Sequence, residues 1–541
     1  MRRSGGRPHR RSSARRLSTL IAALLLASTG LAGGAGPGPG TTGVAAAGKD
    51  EVSILSGDVA SLDPALQGDI ASAQVGAQLF EALTAIDPSL NVRPALAESW
   101  DVLDGGRRVV FHLRPGQAFS DGSPLGAKDV VRSWLRIVDP KQPSPLASLM
   151  ADVEGALDYL RGKTSDPSSV GIRADGTTVE VRLDRPAADF PSIVSSATFA
   201  VVPPGVGSKA GALEPGESFV ASGAYVLSAK TATEMTLTAN DRYWAGPPPI
   251  KTVHLLTTLK GKSPVQAFED GELDYTPIGD YDAAWIRYDA TLGRSLRSVP
   301  SAAVSYYGFD ASRPPFNDVK VRQAFAWAVD WKRLVTLAGG DSEIPATSLI
   351  PPGIPGRSER DFSPKHDPEA ARAALAAAGY PGGAGFPEVT LVDSGAGYDE
   401  AILAELKREL GITVRYEGME STPYFLRLAV DPPAFWALAW VADYPGPNDF
   451  LGLLLSTGSS TDYGRWSSAE FDAAIAQAGA ATDPAAIRAA FDAAELIVQR
   501  DVPVVPVSYG AGYALARDGL LGATETGLGI LRLAGLAWSN Q

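Results

Sequence analysis

The sequence predicts an α/β fold built from more than one domain. Segments with the patterns of strands and of helices alternate along most of the chain, as expected for sheets covered by helices. The 541 residues are enough for roughly two to four domains. After about residue 305 the alternation becomes more regular, which indicates a second unit with α/β organisation.

The N-terminus has the composition of an export signal. Residues 1–47 contain seven Arg and no acid, and an apolar run at 20–27 is followed by small residues. This order predicts a secretory signal with a flexible lead-in, the alternative being a basic disordered tail. The run is too short for a permanent membrane anchor, and no later segment is long enough to span a membrane. We therefore expect an extracytoplasmic protein, periplasmic or secreted.

Cysteine content and charge narrow the possible chemistry and partners. Residues 31–34 (LAGG) resemble a lipoprotein box with Gly in place of the lipidated Cys, and the chain contains no Cys. Lipidation, disulfides and thiolate catalysis are therefore excluded. The formal net charge is −13, and removing the seven Arg of residues 1–47 leaves −20. So acidic a chain argues against nucleic acid as a partner.

The first half of the mature chain is predicted to consist of strands with intervening helices. Strand patterns occur at 52–56, 108–114, 179–183, 222–226, 235–237 and 253–257, with a further extended region from 199 to 202. Helical spacing of apolar residues occurs at 71–83, 127–138, near 146–161 and at 263–270.

The second half has clearer helix boundaries. Asp367 and Asp483 each precede a Pro, and an Asp cap followed by Pro in the first turn is typical of a helix start. Helices are predicted at 319–337, 367–379, 398–410, 468–478 and 483–500, and strands at 389–392, 412–416 and 502–507. The two Pro of the last strand favour an edge position or a segment that crosses between units.

Residues that could carry catalysis form no recognisable set. None of the four His has a neighbour at metal-ligand spacing, and no Gly-x-Ser-x-Gly elbow is present. Gly261-Lys262-Ser263 lacks the upstream Gly of a phosphate loop, where Leu256 stands instead. We therefore predict no enzymatic activity, no metal and no cofactor, with an exported hydrolase as the alternative.

One stretch combines an apolar strand with a single carboxylate. Residues 435–442 form an apolar, aromatic run that ends at Asp443, and a turn rich in Pro and Gly follows. Asp443 has two interpretations. It is either a turn residue that bonds its own backbone, or a charge held at the edge of a pocket to meet a ligand cation.

Twelve short motifs together resemble one family, the extracytoplasmic solute-binding proteins that deliver oligopeptides, dipeptides and related solutes to ABC importers. The resemblance is greatest to the oligopeptide-binding branch. The motifs run in family order at 61–64 (SLDP), 94–100 (PALAESW), 111–114 (FHLR) with 119–124 (FSDGSP), 133–134 (SW), 222–225 (SGAY), 240–244 (NDRYW), 271–274 (GELD), 315–324 (PFNDVKVRQA), 378–380 (AGY), 440–444 (WVADY) and 504–507 (VVPV).

The resemblance implies a two-lobed periplasmic-binding-protein fold that closes over a ligand in the interlobe cleft. One lobe has two domains, and the chain crosses between lobes twice, which places the crossings near 304–308 and 505–509. The expected domains are residues 48–95 with 200–304 and 508–541, then 96–199, and for the second lobe 305–507, preceded by the signal and lead-in at 1–47.

The resemblance also implies a ligand site. In peptide-binding relatives the acid of the Trp-x-x-Asp-Tyr motif receives the α-ammonium of the ligand, a role that falls to Asp443 here. The full set of expected ligand-binding residues is Gln67, Gly68, Asp69, Arg132, Ala439, Trp440, Val441, Asp443, Tyr444 and Tyr509. The backbone of Ala439 and Val441 would pair with an extended peptide.

Two positions depart from the family pattern. Arg132 stands where relatives have a helix tyrosine that helps to hold the ammonium, and it would oppose that charge unless it turns away or pairs with an acid such as Asp69. Ala437 stands where a basic residue binds some peptide carboxylates. These departures leave the ligand length and the binding of its C-terminus open.

The expected partners are a short peptide or related small solute and the permease subunits of an ABC importer with their cytoplasmic ATPase. The protein is expected to act as a monomer. Two alternatives remain within binding proteins. One is a receptor for a metal chelate, an oligosaccharide or an amino-acid derivative, and the other is a secreted peptide-sequestering protein without an importer.

Overall fold

A computed structural model describes residues 49–207, 212–339, 342–395 and 397–539. The predicted signal and lead-in at residues 1–47 lie outside these ranges. Within the described residues, no helix has the length and apolar character that a membrane span requires.

The strands are numbered in chain order. They are β1 (Glu51–Leu55), β2 (Thr84–Ile86), β3 (Val92–Pro94), β4 (Ala97–Leu103), β5 (Arg108–Leu113), β6 (Ile172–Asp175), β7 (Thr178–Arg182), β8 (Tyr225–Lys230), β9 (Glu234–Ala239), β10 (Thr252–Leu256), β11 (Tyr275–Ile278), β12 (Leu296–Pro300), β13 (Ala303–Phe309), β14 (Ile344–Pro345), β15 (Val389–Asp393), β16 (Val414–Gly418), β17 (Phe435–Val441), β18 (Val504–Tyr509), β19 (Ala511–Ala516), β20 (Leu520–Leu521) and β21 (Ala537–Trp538).

The α-helices follow the same convention. They are α1 (Ile70–Leu79), α2 (Ala127–Leu135), α3 (Ala156–Leu160), α4 (Phe190–Ile193), α5 (Pro264–Glu269), α6 (Asp280–Ile286), α7 (Val319–Ala328), α8 (Trp331–Ala338), α9 (Pro368–Ala377), α10 (Asp399–Leu410), α11 (Ser421–Val430), α12 (Pro447–Phe450), α13 (Gly452–Leu455), α14 (Ala469–Ala480) and α15 (Pro484–Asp501).

Three sheets organise the described chain into two lobes. The first lobe contains a seven-stranded sheet in the order β12-β19-β11-β1-β10-β9-β8 and a four-stranded antiparallel sheet in the order β4-β5-β7-β6. The second lobe is built on a six-stranded sheet in the order β14-β18-β13-β17-β15-β16. The predicted two-lobed α/β fold is thereby confirmed.

The chain passes between the lobes at two short connections. Ser301 and Ala302 join β12 to β13, and Gly510 joins β18 to β19. In each case the two joined strands belong to different sheets. The lobes are therefore linked by two adjacent strand-to-strand joints, while the exact domain limits remain a prediction.

Each sheet has its own apolar core. The four-stranded sheet buries a cluster of aromatic rings in edge-to-face contacts, of which Trp134 with Phe199 is the closest at 5.3 Å between ring centroids. In the second lobe Phe309 stacks on Phe435 at 5.2 Å. These ring contacts add to the burial of large apolar surfaces in each core.

Most predicted elements are present, and the differences described next have identifiable reasons. The helix predicted at 319–337 is two helices, because Val329 is extended and the side chain of Asp330 accepts a hydrogen bond from the backbone N–H of Arg333 to start α8. The pattern near 146–161 forms only a 3₁₀ turn and the five-residue α3. Helix α11 was not predicted, since its N-cap residue Glu420 makes no capping bond.

Strand β18 also differs from the prediction of an edge strand. It lies between β13 and the short β14 inside the six-stranded sheet. Pro506 is tolerated there because the register shifts between Ser305 and Tyr306 on the neighbouring strand β13. The alternative prediction of a crossing segment agrees with the position of β18 directly before the joint at Gly510.

Candidate functional site

A cavity of about 270 Å³ lies between the two lobes. The second lobe contributes Val441, Ala442 and Asp443 at the end of β17. The first lobe contributes the start of α1 and its preceding loop, the turn at 195–197 and part of the C-terminal segment 526–532. Five residues of the predicted site therefore meet at one place, and they are Gln67, Gly68, Asp69, Val441 and Asp443.

The position of Asp443 follows from the topology of the second lobe. Strands β15, β16 and β17 are mutually parallel, and Asp443 lies just beyond the carboxyl end of β17. Ligands of α/β sheets bind outside the carboxyl ends of parallel strands. The six-stranded sheet thus directs this edge, with its carboxylate, toward the first lobe.

One edge of β17 is open where it approaches the cavity. Within the described chain β17 pairs with β13 over its full length, but with β15 only at Phe435 and Trp436. The N–H of Ala442 donates to the carbonyl of Ala302 at 2.8 Å, and backbone groups alternate in direction along a strand. Ala439 and Val441 therefore direct their N–H and C=O groups to the unpaired edge.

Asp443 stands beside a second, fully buried carboxylate. Asp449 at the start of the following turn of helix accepts a hydrogen bond from Trp440 Nε1 at 2.8 Å and the backbone N–H of Asp443 at 3.3 Å. Trp440 therefore contacts the site indirectly, by donating a hydrogen bond to the carboxylate of Asp449. The loop between the two acids is fixed by these contacts, which sets where the carboxylate of Asp443 points.

Burial makes both carboxyl groups hard to ionise. It raises the pKa of Asp443 to about 6. It also raises the pKa of Asp449 well above its ordinary value, and the neighbouring charge of Asp443 adds to this effect. A cation between the lobes would stabilise the ionised form of Asp443, because an opposite charge offsets the loss of hydration. The pair can thus accept a positively charged group.

The facing loop of the first lobe is held by the start of α1. Asp69 is the N-cap residue, and its carboxylate accepts hydrogen bonds from the backbone N–H of Ser72 at 2.8 Å and from the Ser72 hydroxyl at 2.6 Å. A Cβ at Gly68 would come within 3.1 Å of Pro145, so the loop packs closely there. Gln67 is buried next to it while still lining the cavity.

Three predicted residues lie elsewhere. Arg132 pairs with Asp129 on its own helix and with the carbonyl of Val202, so the acid that it pairs with is Asp129 and not Asp69. The hydroxyl of Tyr509 lies in the core of the second lobe and donates to the carbonyl of Ser348 at 2.6 Å.

Tyr444 points away from the cavity and into the other lobe. Its ring belongs to the core of the four-stranded sheet, and its hydroxyl donates to Asp189 Oδ2 at 3.0 Å. Asn448 Nδ2 donates to the same hydroxyl at 3.1 Å. The residue after Asp443 therefore makes a buried contact between the lobes. Ala439 and Trp440 lie on β17 beside the cavity without being part of its lining.

The C-terminal segment forms a wall of the cavity that the sequence did not predict. Alternate residues of that segment line the cavity, and they are Thr526, Leu528, Ile530 and Arg532. Leu531, which lies between two of them, and Leu533, which follows Arg532, are buried in the core of the seven-stranded sheet. This alternation is visible in the sequence, but without the fold nothing indicates which set of residues faces a ligand.

The described residues contain no group of three or more His, Asp or Glu side chains that could hold a metal ion. Much of the rest of the lining is apolar and comes from the first lobe, namely Ile70, Ala73, Ala77, Ile86 and Leu146. The cavity thus combines apolar walls with a few charged groups, as small-molecule sites commonly do.

Comparison with known proteins gives consistent matches. The family described as "Bacterial extracellular solute-binding proteins, family 5 Middle" matches residues 91–462. The probable deoxycholate-binding periplasmic protein YgiS of Escherichia coli strain K12 is 32% identical over 466 residues, covering 84% of this chain and 86% of that protein. The periplasmic oligopeptide-binding protein OppA of the same strain is 28% identical over 482 residues, covering 86% and 88%.

Solved structures agree at the level of the whole chain. The unliganded open form of the periplasmic murein tripeptide binding protein MppA superposes with a TM-score of 0.77 at 26% identity. The match covers 91% of this chain and 98% of that structure.

Proposed function

Because the chain belongs to the bacterial extracellular solute-binding proteins of family 5, we propose that it captures short peptides outside the cytoplasm and delivers them to an ABC importer. That membership confirms the resemblance inferred from the sequence motifs. The observation that carries the proposal is that an open strand edge and an ionisable carboxylate meet in one interlobe cavity.

The open strand edge and the carboxylate match two contacts that one extended peptide can make at the same time. An extended peptide adds to the edge of β17 through the backbone of Ala439 and Val441, which is the same for any side chain. Its α-ammonium pairs with Asp443, where lobe closure removes water and strengthens the attraction. Gln67, Gly68 and Asp69 cover the peptide from the first lobe. Such a site selects peptides with a free N-terminus.

The same family membership supports the remaining parts of the proposal. We infer export by the N-terminal signal, a periplasmic or secreted location without a lipid anchor, and action as a monomer with permease and ATPase subunits. We also infer no catalysis. His112 contacts Asp101 at 2.8 Å and His254 contacts Glu234 at 2.7 Å, and all four residues belong to strands outside the cavity.

A second candidate is an amphipathic, non-peptide solute. The apolar side chains that line the first-lobe side of the cavity favour it, and one relative is named as a probable deoxycholate-binding protein. This candidate needs no ammonium, so it leaves the carboxylate of Asp443 without a ligand partner.

The test is capture from a mixture followed by titration. The purified protein is incubated with an equimolar mixture of di- to pentapeptides and with deoxycholate, and native mass spectrometry identifies what remains bound. The captured peptide is then titrated calorimetrically beside its N-acetylated form. The proposal expects peptide capture and a large loss of affinity on acetylation. Capture of deoxycholate alone would favour the second candidate, and equal binding of both peptides would remove the ammonium role of Asp443.

A further inference from the structure

The cavity contains one basic side chain to which the sequence analysis assigned no role. Arg532 belongs to the C-terminal wall of the first lobe and lines the cavity. It is the one Lys or Arg among the lining residues of the described chain, whereas the charged residues across and beside it are the acids Asp443 and Asp69.

A buried carboxylate fixes the position of this arginine. Nη2 of Arg532 donates to both oxygens of Glu81, at 2.9 Å and 3.1 Å. Glu81 is 1% exposed, and it also accepts the hydroxyl proton of Tyr243 and the Nε1–H of Trp244 at 3.4 Å. With its acceptors engaged on several sides, Glu81 holds the guanidinium in one place.

The guanidinium retains donors for a ligand. An arginine has five N–H groups in a planar fork, and both bonds to Glu81 use the same nitrogen. The side chain keeps 30% of its surface exposed, and it borders the cavity. A guanidinium with one nitrogen bonded to Glu81 and part of its surface exposed at the cavity is suited to a carboxylate, which accepts two parallel N–H bonds.

The charges of the cavity are arranged on opposite lobes. Asp443 comes from the second lobe and Arg532 from the first. A molecule with an ammonium at one end and a carboxylate at the other would therefore contact both lobes through charged groups. The charge on Glu81 repels an incoming carboxylate. The binding free energy gained from the contact with Arg532 is therefore expected in the lower part of the range for hydrogen bonds to charged groups.

We propose that Arg532 binds the carboxylate of the ligand and that the cavity selects short zwitterionic peptides by binding both of their charged termini. This inference rests on the proposed function, since it takes the cavity as the peptide site. It also accounts for the departure at Ala437, because the carboxylate contact moves to the opposite lobe. The cavity volume of about 270 Å³ agrees with a short ligand.

The test compares ligand ends and protein variants together. The peptide captured in the mass-spectrometric experiment is synthesised as the free acid and as the C-terminal amide, and both are titrated into the wild type and Arg532→Gln. The wild type is expected to favour the acid by roughly 10-fold to 100-fold. In the variant this ratio should fall to about one, because the amide never used the lost contact.

Controls separate ligand binding from a purely structural role. If Arg532 only supports Glu81, the variant will weaken acid and amide equally, which would overturn the proposal. Glu81→Gln combined with Arg532→Gln removes the unpaired buried charge, so it keeps the test valid where the single variant folds poorly. Arg136→Gln breaks a comparable pair with Asp63 outside the cavity and should leave the ratio unchanged.

The wild-type result alone is also decisive. Equal affinity for acid and amide in the wild type refutes the carboxylate contact and leaves the peptide-binding proposal intact. Failure to capture any peptide refutes the proposed function itself, and the inference falls with it.

Discussion

Replacing Asp443 by Asn is the most direct test of the ammonium site. A carboxylate and an ammonium about 4 Å apart attract each other by about 4 kcal/mol where the effective dielectric constant is about 20. The amide oxygen of Asn still accepts a hydrogen bond, which returns about 1 kcal/mol. The net loss of about 3 kcal/mol corresponds to a roughly 100-fold weaker affinity.

The neighbouring carboxylate does not replace the lost charge. Burial is the larger cause of the raised pKa of Asp449, and the charge of Asp443 is the second. The Asn variant removes only the second cause, so burial still raises the pKa of Asp449. Its fully buried side chain also lies behind Asp443 as seen from the cavity.

Stability should move in the opposite direction from affinity. Burial raises the pKa of Asp443 from an ordinary 3.8 to about 6, which corresponds to about 3 kcal/mol of unfavourable free energy at neutral pH before solvent screening reduces it. Asn removes that cost, so the variant should melt at the same temperature as the wild type or higher.

Calorimetric titration with the captured peptide, with scanning calorimetry alongside, measures both effects. Asp166→Asn, which neutralises a fully exposed acid on the first lobe, is the matched control and should leave the peptide affinity unchanged. An affinity loss below about threefold in Asp443→Asn would refute the ammonium site. So would an equal loss for the N-acetylated peptide, since that ligand carries no charge for Asp443 to bind.

Three further predictions follow from the titrating groups and the interlobe contact. Peptide affinity should rise as pH increases toward about 6 and then level off, because the ligand needs ionised Asp443, whose pKa is about 6. Calorimetric titrations from pH 4.5 to 7.5 in two buffers will measure the affinity and the protons released on binding. The melting temperature should rise as pH falls from 7.5 to 5. Burial raises the pKa of Asp462 and Glu495 to about 7, so the folded state binds more protons than the unfolded state in that pH range. A melting temperature that falls over this range would contradict the raised pKa of these two groups. Tyr444→Phe should destabilise the protein by about 1–3 kcal/mol in urea unfolding, because Asp189 loses its buried hydroxyl donor. The control variant Tyr416→Phe should destabilise it less, because the hydroxyl that donates to Asp393 belongs to a half-exposed ring.

Local sequence signals predicted most of the elements because their boundaries are marked by chemistry. Asp367-Pro368 and Asp483-Pro484 start α9 and α15, and Gly411 in the left-handed conformation ends α10. These helix caps depend on a few neighbouring residues and can be recognised in the sequence before the fold is known. Helix α11 lacks such a cap and is held by burying Tyr424 and Leu428 against β17, which only the folded structure supplies.

The site was predictable only where a motif carried it. Asp443 and the loop at Gln67 entered through the resemblance to a family, and both line the cavity. Arg532 carries no motif, and it acquires its role from Glu81, which is 451 residues away in sequence. Tyr444 belongs to the same motif as Asp443, but its ring packs in the core of the other lobe, which only the folded structure reveals.

The contact of Tyr444 has a consequence for the opening of the lobes. The ring that packs in the core of the four-stranded sheet and the carboxylate that lines the cavity belong to consecutive residues. If Asp443 binds the ligand as proposed, separating the lobes withdraws Tyr444 from Asp189 and Asp443 from the first-lobe side of the cavity in one movement. The buried contact between the lobes and the proposed ligand contact are then lost together.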